Sequence, residues 1–234
     1  MEFRLPSNTA LVLFTRTRDE EARYKDFTSV NRLHTNSLIA HYLISHAEQT
    51  ARASGLPCFI ISSELQHGKN FGERLAHAFE DVYRFGYDNV IAIGNDCPTL
   101  TPADLIQAAV DLETHGAVMG PADDGGVYLI GMQKAEYNPA IFASLPWSSS
   151  GVHQALISYF IEFNISYTDT GIKSDIDDEA SLSHILRSAL LPTTLRSILQ
   201  SILASLNTYL DSININPIRS SIRISSGLRA PPAI

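Results

Sequence analysis

Cysteine is almost missing from this chain: Cys58 and Cys97 are the only two among 234 residues. Neither has neighbours at the spacing of a zinc site or a disulfide framework, so metal-thiolate and cross-linked small-domain architectures are excluded. Cys58 reads as a filler in a buried strand. Cys97 has no histidine near it in sequence and reads as packing in preference to a catalytic thiol. The eight histidines are scattered without ligand spacing, and none is assigned. No apolar run reaches the ~18 residues of a membrane span, so none is expected. The start MEFRLPSNTALVLF lacks the basic region and cleavage site of a signal peptide, and the expected location is the cytoplasm. Basic residues are outnumbered, 17 against 25 acids, for a net charge of −8. That balance argues against nucleic acid as a partner and leaves room for a small anion carried with a metal.

What is present is ordinary globular material, 44% apolar and 18% charged, enough for one full core. Short apolar runs at residues 10–15 (ALVLFT), 57–62, 89–93, 117–120, 127–131 and 165–170 read as buried strands. Helical periodicity fills residues 36–54, 71–85, 102–115 and 150–163 between them. This alternation predicts an α/β fold with a mostly parallel sheet. Thr101, Pro102 and Asp104 supply a cap, a first-turn proline and an early acid, which marks a helix start. The link between the runs at 117–120 and 127–131 is too short for a crossover helix. One strand there is expected to leave the parallel order, and ligands gather where the order reverses. Residues 1–190 are read as the domain. Residues 191–234 are read as an appendage: a helix with Leu195, Ile198, Leu199, Ile202, Leu203, Leu206 and Leu210 on one stripe, then a flexible tail with Arg219, Arg223 and Arg229. The stripe fits packing on the domain's own flank, or a homodimer contact.

Four segments carry residues fit for chemistry. Asp96 follows a buried strand and precedes the capped helix, the place of the ligand crevice in open α/β sheets, and a carboxylate suits a hard cation shared with phosphates. It fits a turn ahead of Pro98 equally well. The loop Asp123-Asp124-Gly125-Gly126 combines acids with backbone able to approach a ligand, though Asp-Gly is also a common hairpin turn. Asp175 and Asp177 alternate, which puts both side chains on one side of an extended segment, while acids at a helix start are also stabilising without a ligand. In QHGKNFGERL, Gly72 and Arg74 at a helix start, with Lys69, suit a phosphate, or an ordinary solvated loop.

Taken in order, these segments resemble a bacterial family of GT-A-fold proteins, the DUF2064 group, described as nucleotide-diphospho-sugar transferases. The matching runs are Gln66-x-Gly68-x-x-x-Gly72-Glu73-Arg74-Leu75, VIAIGNDCPTLTPADL, GPADDGGVYLIGM, Leu145-Pro146-Trp147-Ser148 and Asp175-x-Asp177, spread from about Leu11 to Leu186. The resemblance implies a Rossmann-like sheet with helices on both faces and a Mg²⁺ or Mn²⁺ ion held by Asp96 and Asp177. Asp96, Asp123 and Asp124 would serve catalysis. Arg16, Arg18, Lys25, Gly72, Arg74, Asn95, Gly125 and Gly126 would hold a nucleotide or nucleotide sugar, with an unidentified small acceptor opposite. The family's loop after the first strand carries glycine and ends in Lys-Thr-Arg-Leu; here residues 15–25 keep the bases but not the glycine, and insert Asp19, Glu20 and Glu21. The motifs are also similar to those of nucleotidyltransferases such as phospholactate guanylyltransferase. Sugar transferases more often carry Asp-x-Asp where Pro98 stands here, which tilts the chemistry toward attack on a nucleotide phosphate. A non-catalytic nucleotide-binding or assembly module is the alternative from another class.

Overall fold

Alternate residues of the first strand feed two different cores. β1 (Thr9–Thr15) is buried along its whole length. Its Ala10, Val12 and Phe14 join one apolar cluster, and Leu11 and Leu13 join another. A strand covered on both faces has no polar side to show, which is why it reads as a continuous apolar run. In the computed structural model, which describes residues 8–29 and 32–214, the remaining elements follow in order. They are α1 (Arg18–Tyr24), α2 (Arg32–Ala53), β2 (Cys58–Ser62), α3 (Phe71–Arg84), β3 (Asn89–Ile93), α4 (Pro102–Thr114) and β4 (Ala117–Pro121). After these come β5 (Val127–Gln133), α5 (Pro139–Ser144), α6 (Val152–Glu162), β6 (Tyr167–Asp169), α7 (Glu179–Ile185) and α8 (Thr193–Asn214). The arginine-bearing tail lies outside the described residues.

The sheet has six strands in the order β2-β1-β3-β5-β4-β6. β1 runs parallel to β2 and β3, and β4 parallel to β6. β5 is antiparallel to both of its neighbours, β3 and β4. The short link after β4 forces this reversal, as its length predicts. In consequence the carboxyl ends of β1, β3 and β4 and the amino end of β5 meet at one edge of the sheet.

Helices cover both faces. α3, α5 and α6 bring Phe79, Phe142, Leu156 and Phe160 to one side, and α2 and α4 bring Ala51, Leu105 and Leu112 to the other. A third cluster joins Phe27, Ile39, Leu43, Ile176, Leu182, Leu195 and Leu199. The first half of the apolar stripe on α8 therefore lies on the domain's own flank, against α2. α4 begins at the expected Thr101 cap, and there Thr101 and Asp104 exchange side-chain and backbone bonds in a capping box.

The basic segment after β1 is a helix and not an open loop. Thr17 caps α1 by accepting from the Glu20 backbone amide, and Asp19, Glu20 and Glu21 occupy its first turn. Asp19, Glu20 and Glu21 thus act first as helix-start residues, which the macrodipole favours there. Seven residues carry no apolar period, so only the cap-and-acid pattern signals this helix.

Candidate active site

The sheet edge where strand ends meet opens into a cleft of about 830 Å³. Its floor comes from the end of β1 (Thr15, Arg16) and the β3 exit (Gly94, Asn95, Asp96). Its walls come from α1 (Glu21, Lys25), the start of α3 (Phe71, Arg74), the β4–β5 link (Asp124, Gly126), the segment before α6 (Trp147 to Ser150) and the strip after β6 (Asp175, Asp177).

Asn95 locks the floor. It is buried, accepts from Thr15 Oγ1 at 2.8 Å and donates through Nδ2 to Glu21 Oε1 at 3.3 Å. Glu21 in turn receives Arg16 Nη1 at 3.0 Å, and the Arg16 guanidinium stands 4.3 Å from the centroid of the Tyr24 ring. A carboxylate only 2% exposed is tolerable because both partners are present. Asn95 and Glu21 thus tie β1, α1 and the β3 exit together, and Glu21 is a site residue that the sequence pattern did not single out.

One carboxylate oxygen from each of Asp124, Asp175 and Asp177 lies within 4.8 Å of the others. Asp96 reaches the same region through Lys25, whose Nζ donates to Asp96 Oδ2 at 3.1 Å and to Asp177 Oδ1. The backbone brings the strip to the β3 exit as well: Ile176 N donates to Asp96 O at 2.8 Å, and the Ile176 side chain is fully buried. Helix capping does not require Asp175 or Asp177, because Asp178 fills that role, accepting from Ser181 N at 2.8 Å in a capping box. The acids free of the cap are the ones that face the cleft.

Burial, together with repulsion from Asp96, Asp177 and Asp124, pushes the Asp175 carboxyl from 3.8 up to about 7. A carboxyl whose folded value is raised binds its proton more tightly in the native state. Its contribution to stability is therefore present below the unfolded value and is lost as pH rises through the folded value. Measured by thermal melting without metal, the wild type should lose stability relative to Asp175→Asn between about pH 4 and pH 7. A parallel pair of curves counts against this assignment. Lys25 shifts the opposite way: burial works against its charge, but Asp96 and Asp177 outweigh it and raise its pKa above the usual lysine range.

Arg74 supplies the contrasting feature. Its side chain lines the same cleft, its Nε is buried without a hydrogen-bond partner, and among the described residues no carboxylate pairs with it. A buried guanidinium N–H left open is costly unless something else satisfies it.

Other residues expected at the site are placed elsewhere. Gly72 belongs to the contact between α3 and α5: a Cβ there would stand 2.1 Å from Ala143 O and 2.8 Å from Trp147 Cδ1. It is a close-packing glycine and does not line the cleft. Gly72→Ala is expected to cost about 1–3 kcal/mol in urea unfolding, the usual range for overpacking. Asp123 is held by Ser174 Oγ on the far side of its turn, and Asp124 is the acid that reaches the cleft. Arg18 pairs with its neighbour Asp19 at the surface and is not among the lining residues. Gly125 takes φ of 90°, and a Cβ there would stand 2.2 Å from Ser150 O, so it joins the link to the segment before α6. Gly126 lines the cleft and donates its amide to Asp124 Oδ1 at 2.7 Å, which orients that carboxylate. Cys97 is buried among core residues, and that burial pushes its thiol up to about 12, which fits packing in preference to a catalytic thiol.

Residues 30–149 match the model of a protein family described as "Uncharacterized protein conserved in bacteria (DUF2064)". Among solved structures, the chain is similar to a protein from Desulfovibrio desulfuricans G20 named "putative nucleotide-diphospho-sugar transferase". The TM-score is 0.76 at 21% identity, over 87% of this chain and 98% of that one. Weaker likenesses reach Rv0371c of Mycobacterium tuberculosis H37Rv (TM-score 0.48, 11% identity, 79% of this chain and 100% of that chain). They also reach a CMP:2-keto-3-deoxy-manno-octonic acid synthetase complexed with CTP (TM-score 0.41, 12% identity, 76% and 97%). No curated protein matches the sequence. Among the described residues no helix is long and apolar enough to cross a membrane.

Proposed function

The chain belongs to the bacterial DUF2064 family, and from that premise we propose that it is a transferase that moves a group from a nucleotide or nucleotide sugar to a small acceptor, assisted by Mg²⁺ or Mn²⁺. The observation that carries this reading is charge. Among the described residues the cleft is lined by three basic residues, Arg16, Lys25 and Arg74, against six acids, Glu20, Glu21, Asp96, Asp124, Asp175 and Asp177. A bare diphosphate would be repelled by that balance, whereas a diphosphate chelated to a divalent cation complements it. The donor set fits a hard cation: oxygen ligands only, from two separate segments, with mutual repulsion that a cation relieves.

Asp124, Asp175 and Asp177 would hold the ion, with Asp96 beside them. When bound, it would neutralise charge developing on the leaving phosphate oxygens. The chain's own residues position the reactants. Arg74, which lines the cleft, would donate to a phosphate oxygen, and the Asn95–Glu21–Arg16 network holds the floor. Asp124, whose carboxylate accepts from the Gly126 amide at 2.7 Å, would orient the acceptor beside the ion. The location that goes with this proposal is the cytoplasm.

Transfer of sugar from a nucleotide sugar is the leading reaction. Nucleotidyl transfer is the second reading, favoured by Pro98 two residues after Asp96, where sugar transferases more often have a second aspartate. The products separate them: the first releases a nucleoside diphosphate, the second pyrophosphate. Turnover and metal-dependent nucleotide binding that both survive Asp96→Ala would overturn the site assignment. Nucleotides that bind without any turnover would favour a non-catalytic module.

A further inference from the structure

Lys25 stands where a cation is wanted. It is the C-cap residue of α1, and its side chain is 11% exposed. Its carbonyl accepts from Asn36 Nδ2 at 2.6 Å, which anchors the root of the side chain on α2. From there its ammonium bridges Asp96, at the exit of β3, and Asp177, on the strip after β6. No basic side chain other than Lys25 pairs with either acid among the described residues.

We propose that Lys25 is an internal counter-cation of the metal-free cleft, which a divalent metal must displace from Asp177 before it can bind. The inference rests on the metal reading above. Asp177 is shared between the ammonium pair and the three-acid cluster, and two cations on one carboxylate repel each other. A lysine is suited to such an exchange, because its ammonium is a compact charge on a flexible four-carbon stem. Once displaced, it stays tethered at the cleft wall, where a phosphate arriving with the metal offers it a new partner. Metal alone breaks an ion pair, while metal with phosphate replaces it, so each ligand favours the other. The cleft is thereby biased against holding metal without its nucleotide.

The test is titration with Mn²⁺ alone, followed by electron paramagnetic resonance, on the full chain. Lys25→Met is expected to bind Mn²⁺ about tenfold or more tightly than the wild type, a change of one decade in the binding constant. Lys25→Arg keeps the charge and is expected to stay near the wild type. Melting provides the second readout: Lys25→Met should melt lower than the wild type without metal and regain most of that loss with Mn²⁺. If Lys25→Met is unfolded without metal, Mn²⁺ should restore the fold, and failure to do so counts against the proposal. Equal or weaker Mn²⁺ binding by Lys25→Met overturns the counter-cation while the metal site stands. If neither protein binds Mn²⁺, the metal reading falls and takes this inference with it.

Discussion

Replacing Asp177 with alanine is expected to lower metal-dependent turnover by roughly 10²–10³-fold, the scale of losing one charge-stabilising group in an active site. Asp177 contributes to both features at the centre of the cleft, the three-acid cluster and the Lys25 bridge. Its structural cost should be small. The side chain is 51% exposed, Lys25 keeps Asp96 as a partner at 3.1 Å, and the local backbone is held independently by the Asp26 amide on the Asp177 carbonyl. Removing one of several crowded acids also relieves repulsion on Asp175. The urea midpoint is therefore expected to move by no more than the ~0.5 kcal/mol typical of surface changes. Asp123→Ala is the internal control: that acid bonds Ser174 outside the cleft, and turnover should stay near the wild-type value. Equal losses for the two variants would place the chemistry elsewhere.

Phe79→Ala is expected to have the largest effect on stability, about 3–5 kcal/mol by urea unfolding. Phe79 is fully buried. Its ring lies 5.0 Å from that of Phe142, 5.7 Å from Tyr137 in a stacked pair and 6.1 Å from Tyr83. These rings fasten α3 to the segment around α5, a contact so close at Gly72 that no methyl group fits. Truncation leaves a cavity among rigid rings that cannot collapse onto it, so the transfer and cavity costs add. Because Phe142 also touches Trp147 at 4.9 Å, the cleft wall should loosen with it. Ile161→Ala, at a side chain 69% exposed, should change stability by less than about 0.5 kcal/mol.

The inner strands were legible because they are covered on both faces and leave unbroken apolar runs such as ALVLFT. The antiparallel strand was legible from the length of the link before it. Less could be read in α1, where seven residues without apolar period fold on the strength of a Thr17 cap and three acids. Motif reading brought attention to Asp96, Asp124, Asp177 and Arg74, and the fold brings all four to one cleft. It could not assign roles among neighbours. Gly72 and Arg74 are two residues apart, yet a helical turn aims one at α5 and the other at the cleft. Asp178 takes the cap and releases Asp175 and Asp177, a division that depends on one φ/ψ change at the helix start. Glu21 and Lys25 acquire partners 74 and 71 residues away, and no local pattern encodes contacts at that separation.

The central claim is that this cleft takes a nucleotide through a divalent cation. Its most direct test is the melting temperature of the full chain against a panel of nucleotides and nucleotide sugars, each with and without Mn²⁺. A rise specific to one nucleotide is expected, present only with Mn²⁺ and lost in Asp177→Ala. A rise with no member of the panel, or one that is equal without metal, would contradict it.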